Sequence, residues 1–180
     1  MRKGMLILLL ALICGGASNQ ADSVLPEHVT NIRQDTFAIG SIQFYKAVIL
    51  LVNDYSCTGC KESAFDFLNS LNFDSSAKLF AIGRVSNDIM TRRIFRSFIS
   101  QRLQGLSDVF YDIHYEQDPY PPLRLNDGLF GRFGISSTPV ILLVDKNAGT
   151  HRLISYKEMY EETTLTVSCR TAVAKFVRGN

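Results

Sequence analysis

The sequence predicts an α/β domain, a three-layer α/β/α sandwich in which helices cover both faces of a β-sheet. Three observations predict it. Strand-like stretches recur at 47–52 (AVILLV), 78–85 (KLFAIGRV) and 139–144 (PVILLV), and the first, apolar throughout, reads as a strand covered on both faces. The segments after the first two runs carry apolar residues at helical spacing. After the third, Asp145-Lys146-Asn147-Ala148-Gly149 leads into a further strand-like stretch and a terminal amphipathic segment, the pattern of a hairpin followed by a helix.

Taken in order, the chain begins with an export address. Arg2 and Lys3 precede an unbroken apolar run at 5–13 (MLILLLALI), which gives way to Cys14-Gly15-Gly16-Ala17; residues 1–17 therefore read as a secretory signal peptide. The stretch 5–17 is shorter than the ~20 residues a membrane-spanning helix needs. Two readings stay open: cleavage after Ala17, or lipidation at Cys14, with Ile13 standing where such lipoprotein signals usually carry a small residue. The membrane is thus a partner only through that lipid or an uncleaved signal. Residues 18–35 form a polar leader broken by Pro26, and the folded domain is expected over 36–180, opening with short strand pieces at 36–39 and 42–45 around Gly40.

A helix is expected from Cys60, with Ala64, Phe65, Leu68 and Leu71 on one stripe and Lys61, Glu62, Asp66 and Asn69 off it. Ser86-Asn87-Asp88 offers N-cap chemistry for a second helix to about Leu103. Its inward residues are expected to be Ile94, Phe95, Phe98, Ile99 and Leu103, with Arg92, Arg93, Arg96 and Arg102 on a solvated face. A strand at 109–115, a Pro-rich loop at 117–122 and a polar, Gly-containing stretch at 125–134 follow. The hairpin's second strand is expected over 151–156 and the last helix over 164–177, with Leu165, Val167, Cys169, Val173 and Phe176 as its main apolar residues.

Charge excludes one class of partner. The chain has 19 Lys+Arg against 17 Asp+Glu, and the excess is Arg2 and Lys3; without a clustered basic face, nucleic acid is not a partner. Export carries Cys57, Cys60 and Cys169 into a compartment where disulfides persist. Three thiols cannot all pair internally, and the simplest arrangement is a local Cys57–Cys60 pair with Cys169 alone.

Cys57-Thr58-Gly59-Cys60 lies just past the first strand and at the start of a helix. A helix N-terminus favours negative charge, so Cys57 can ionise below the ~8.5 of a free thiol. A thiolate is the nucleophile of thiol–disulfide exchange, and a second thiol two residues on can release the mixed disulfide. The same spacing also serves half of a zinc site, but Cys169, His28, His114 and His151 are not paired at ligand spacing, so no metal and no cofactor is expected. Ser136-Ser137-Thr138-Pro139 runs directly into the third strand, where a proline, lacking an N–H, must occupy the first position.

A strand, a CxxC-Lys opening a helix, further α/β units and then Thr138-Pro139 leading into a hairpin and helix resemble the thioredoxin-like superfamily, over about 36–177. In an exported chain they resemble the TlpA/ResA-type thiol–disulfide oxidoreductases. The resemblance implies a mixed central sheet with a segment inserted before the proline strand, and a cis Pro139 beside the cysteines. It also implies Cys57 as attacking and Cys60 as resolving thiol, Thr138 and Pro139 as a substrate ledge with Thr58 and Gly59 beside it, and protein thiols or disulfides of the bacterial envelope as partners.

Departures from the pattern are informative. Ser56 stands where many members have Trp, Thr58-Gly59 replaces the frequent Gly-Pro, and Leu51 replaces a buried acid. Asp54 and Glu62 are nearby acids that read as caps or solubilising groups. The absence of His between the cysteines favours a reductant or shuttle over an oxidase. Cys169 reads as a small buried hydrophobe, and neither His114 nor His151 is given a role. The competing functions are a binding module with a static disulfide and a Cu(I)-delivery module.

Overall fold

The computed structural model describes residues 25, 28–53, 56–73, 76–86, 88–114 and 128–179. In chain order the elements are β1 (His28–Thr30), β2 (Thr36–Ala38), β3 (Lys46–Asn53), α1 (Thr58–Asn69), β4 (Lys78–Ser86), α2 (Ile89–Arg102) and β5 (Leu106–His114). Then follow α3 (Gly128–Arg132), β6 (Val140–Asp145), β7 (Thr150–Ile154), α4 (Tyr156–Met159), β8 (Tyr160–Glu161), β9 (Thr164–Leu165) and α5 (Val167–Arg178).

Seven strands form one mixed sheet in the order β2-β1-β5-β4-β3-β6-β7, and β8-β9 is a separate small ribbon. β3, β4 and β5 run parallel, joined by helical crossovers, while β6 pairs antiparallel to β3 and β7 antiparallel to β6. The reason lies in the apolar runs: residues 47–52 of β3 and 140–144 of β6 are buried without interruption, which requires cover on both faces of the sheet. This is the expected α/β sandwich. Its core is aliphatic at the centre, where Ile49, Leu50, Leu51, Ile82 and Ile141 are inaccessible, with Phe65 and Phe130 filling the layers beside it. Among the described residues, no helix is long and apolar enough to cross a membrane. The segment read as a signal peptide lies outside the described residues.

Several local expectations are corrected. The sheet begins inside the stretch read as a polar leader, because His28–Thr30 pairs with both β2 and β5. Residues 42–45 are not a strand. After β2 the chain makes a 3-10 turn at Ile39–Ser41, and the carbonyls of Gly40 and Ile42 accept from the Lys146 ammonium instead of a neighbouring strand. In α2 the inward phase is set by Arg92, Phe95 and Ile99, so Arg92 is buried and Ile94, expected inside, is exposed. Positions 92, 95 and 99 share one helical face, and 94 lies well off it. Part of 125–134, read as polar loop, is α3. The terminal helix starts at Val167, which is exposed rather than inward, because Thr166 takes the N-cap and accepts from the Cys169 N–H at 3.2 Å. The Pro-rich stretch 117–122 lies outside the described residues.

Candidate active site

β3 delivers the chain to the site. At its end the Asn53 carbonyl accepts from the Ser56 N–H at 3.2 Å and from the Ser56 hydroxyl at 2.9 Å, a tight turn that buries Ser56 and sets Cys57 at the N-cap of α1. Cys57 does there what Ser or Asp does at other helices: its sulfur accepts from the Cys60 N–H at 3.4 Å. No acidic side chain stands in the first turn of α1, so no carboxylate competes for the free N–H groups, and the end of the helix dipole acts on the sulfur. Cys57 is exposed and Cys60 is buried, and both are free thiols, the reduced state of the pair.

The two sulfurs are polarised in opposite directions. The hydrogen bond from the Cys60 thiol, then the Cys60 and Gly59 N–H groups and the Lys61 charge, hold Cys57 below the ordinary thiol range. Burial pushes the Cys60 thiol up, the neighbouring Cys57 adds to it, and the Tyr156 hydroxyl opposes both. That hydroxyl lies 3.0 Å from Cys60 Sγ. Its own pKa is pushed up to about 12, first by the contact with Cys60 and then by burial.

Tyr156 arrives there by an element not expected from the sequence. Ser155 and Glu158 form a capping box, which stops β7 at Ile154 and turns Tyr156 into the first residue of α4. The β8–β9 ribbon then folds back over α1. The Tyr160 hydroxyl donates to the Cys60 carbonyl at 3.1 Å, the Leu165 N–H donates to the Ser63 hydroxyl at 3.2 Å, and a Cβ on Gly59 would lie 3.3 Å from Thr163 Cβ. The rings of Tyr156 and Tyr160 are 5.0 Å apart. Sequence reasoning ran Tyr156 into the preceding strand and gave Tyr160 no role; Ser155-Tyr156-Lys157-Glu158 was the signal that would have started a helix at Tyr156.

The Thr138–Pro139 bond is cis, as the family resemblance implied. Thr138 is buried, its hydroxyl accepts from the Asn53 N–H at 3.3 Å, and it shares a hydrogen bond with the Ser56 hydroxyl. The residue before Cys57 is therefore in direct contact with the residue before Pro139. A cavity of about 300 Å³ adjoins the first turns of α1, between Lys61, the end of β3 and Phe95 and Phe98 of α2.

The other sequence candidates are engaged elsewhere or lie outside the described residues. Glu62 pairs with Arg102 at 2.7 Å, Leu51 is fully buried, and Asp54 lies outside the described residues. Cys169 is buried in α5, and burial first, then Glu158, raises its pKa to about 11. The His151 ring sits against Phe133 at 5.5 Å, and the His114 side chain and Cys14 lie outside the described residues. Among the described residues no group of three or more His, Cys, Asp or Glu could hold a metal ion.

No protein-family model matches the sequence, and no curated protein does. Solved structures do match. The chain is similar to a secreted Mycobacterium tuberculosis disulfide oxidoreductase homologous to E. coli DsbE, with 13% identity and a TM-score of 0.55 over 88% of this chain and 99% of that one. It is similar to MTB dsbF, at 12% identity and a TM-score of 0.53 over 87% and 96%. A thioredoxin-like protein from Aeropyrum pernix matches at 14% identity and a TM-score of 0.54 over 88% and 91%. The fold is thioredoxin-like.

Proposed function

We propose that this thioredoxin-like domain is an exported thiol–disulfide oxidoreductase that exchanges disulfides with protein partners through Cys57 and Cys60, working as a reductant or shuttle. One observation carries the reading. An exposed thiol with lowered pKa caps a helix, three residues ahead of a buried thiol with raised pKa. That asymmetry is what the two half-reactions require. Cys57 as thiolate attacks one sulfur of a partner disulfide; the Cys57–partner bond forms and the second partner sulfur leaves with the electron pair. Cys60 then attacks Cys57 Sγ, the Cys57–Cys60 bond forms and the first partner sulfur leaves. The partner disulfide has gained two electrons and the cysteine pair has lost two.

Thr138 and cis Pro139 are proposed as the ledge for an extended segment of the partner. With its hydroxyl engaged by Asn53 and Ser56, Thr138 has its backbone to offer that segment. Thr58 and Gly59, both exposed, flank the same approach. Export, and kinship with the TlpA/ResA type, are supported by the apolar leader at 5–13 and by the likeness to a secreted oxidoreductase. Mass determination of the exported protein separates cleavage after Ala17 from lipidation at Cys14.

The test is the reduction potential of the pair, read by equilibrating the domain with defined thiol/disulfide ratios and counting alkylated cysteines. A reversible transition between about −270 and −120 mV marks a working couple, and one below about −300 mV marks a structural disulfide and a binding module instead. Reduction of a model disulfide substrate is expected to vanish in Cys57→Ser, and activity surviving that change overturns the assignment.

A further inference from the structure

We propose that Tyr156 is a catalytic residue of this pair: its hydroxyl, 3.0 Å from Cys60 Sγ, donates a hydrogen bond to the Cys60 thiolate as that sulfur resolves the mixed disulfide. The proposal rests on reading Cys57 and Cys60 as the redox couple.

A fully buried sulfur must become an anion to resolve a mixed disulfide, and burial opposes that charge. Something has to offset it. The buried run 47–52 of β3 brings no titratable group, since all six of its residues are apolar. Glu62 of α1 is held by Arg102. Among the described residues, the groups that face Cys60 are Cys57 from its own segment, Tyr156 from α4 and Tyr160 from β8, with Lys61 following it in α1. Cys57 opposes the charge, and the Tyr160 hydroxyl is spent on the Cys60 carbonyl. Tyr156 alone among these touches the sulfur and eases its ionisation. Because the phenol keeps its proton up to about pH 12, it serves as a hydrogen-bond donor and not as a base.

Cys60 loses its proton to solvent water, and the Tyr156 O–H turns to the resulting thiolate. Cys60 Sγ attacks Cys57 Sγ, the Cys57–partner bond breaks, and the partner sulfur leaves with the electron pair and takes a proton from water. Tyr156 is unchanged at the end.

The experiment uses the full chain carrying Cys14→Ala, Cys57→Ser and Cys169→Ala, where the pH midpoint of Cys60 alkylation by iodoacetamide reads the ionisation of Cys60 with no redox step involved. Tyr156→Phe is expected to raise the midpoint by about one pH unit, lowering the rate at pH 8 about tenfold. A 3-fluorotyrosine in place of Tyr156 keeps the shape and makes the phenol a stronger donor, so it is expected to lower the midpoint. Opposite displacements by the two changes support the proposal; any other pattern, including midpoints that do not move, overturns it. An unreactive disulfide in the unaltered protein would overturn the redox reading by a separate route, since this titration needs only the Cys60 thiol.

Discussion

At the scale of single residues, the site is built from groups whose ordinary roles have been exchanged. A cysteine caps the helix, a buried serine precedes it, and a tyrosine reaches the buried sulfur. The first exchange gives a direct prediction. Since Cys57 is exposed with a lowered pKa, while Cys60 and Cys169 are buried with raised ones, the reduced protein treated with one equivalent of iodoacetamide at pH 7 should be labelled at Cys57. Raising the pH through the ordinary thiol range should increase that rate less than it does for a free thiol, because the lowered pKa lets Cys57 begin to ionise below that range. Peptide mapping checks the order, and equal labelling of Cys57, Cys60 and Cys169 would refute it. Cys57, Cys60, Thr138 and Pro139 were legible in the sequence because each sits in a short motif beside a recognisable strand. Tyr156 was not, because its meeting with Cys60, 96 positions away, is made by the fold and leaves no local spacing to read.

At the scale of elements, the close seating of α2 on β4 depends on a missing side chain. A Cβ on Gly83 would lie 2.4 Å from the Phe95 ring, and that ring is buried with little freedom to withdraw. Gly83→Ala is therefore expected to destabilise the domain by about 1–3 kcal/mol, as overpacking does. Phe95→Leu should make room, so the double variant should lose less than the sum of the two single losses; denaturant midpoints for the three variants measure the coupling, and simple additivity would contradict the contact. The same helix explains what periodicity could and could not convey. β3 and β6 were plain from their uninterrupted apolar runs and β4 from its largely apolar stretch, yet α2 was read out of phase, since Ile94 was placed inside by residue type and Arg92 outside. The structure does the reverse, at 63% and 1% exposure, because the face turned inward is the one that carries Phe95 and Ile99, and Arg92 shares that face while Ile94 does not. The β8–β9 ribbon was illegible for another reason: strands of two residues each are shorter than any alternation that could announce them.

At the scale of the whole molecule, the core holds a set of groups that bind their protons more tightly than they would in water. Cys60, Cys169, Tyr111 and Tyr160 are all raised, with burial as the leading cause, and Tyr156 is raised first by Cys60. A group whose folded pKa lies above its unfolded one binds its proton more tightly when folded. Its contribution is complete below the unfolded pKa and is lost as pH rises toward the folded one. Cys57, lowered, has the opposite sign, and its contribution is complete above the ordinary thiol range, so it does not offset losses at higher pH. Stability under reducing conditions is therefore expected to fall steadily above about pH 9. Cys169 isolates one part of that fall: held protonated to about pH 11, it accounts for about 2–3 kcal/mol at about 1.4 kcal/mol per pH unit. Cys169→Ala costs some packing at every pH but removes this titration, so its stability curve should flatten between pH 9 and 11 relative to the unaltered protein. Urea midpoints at intervals across that range provide the comparison, and two curves that run parallel would mean that Cys169 ionises no differently folded than unfolded.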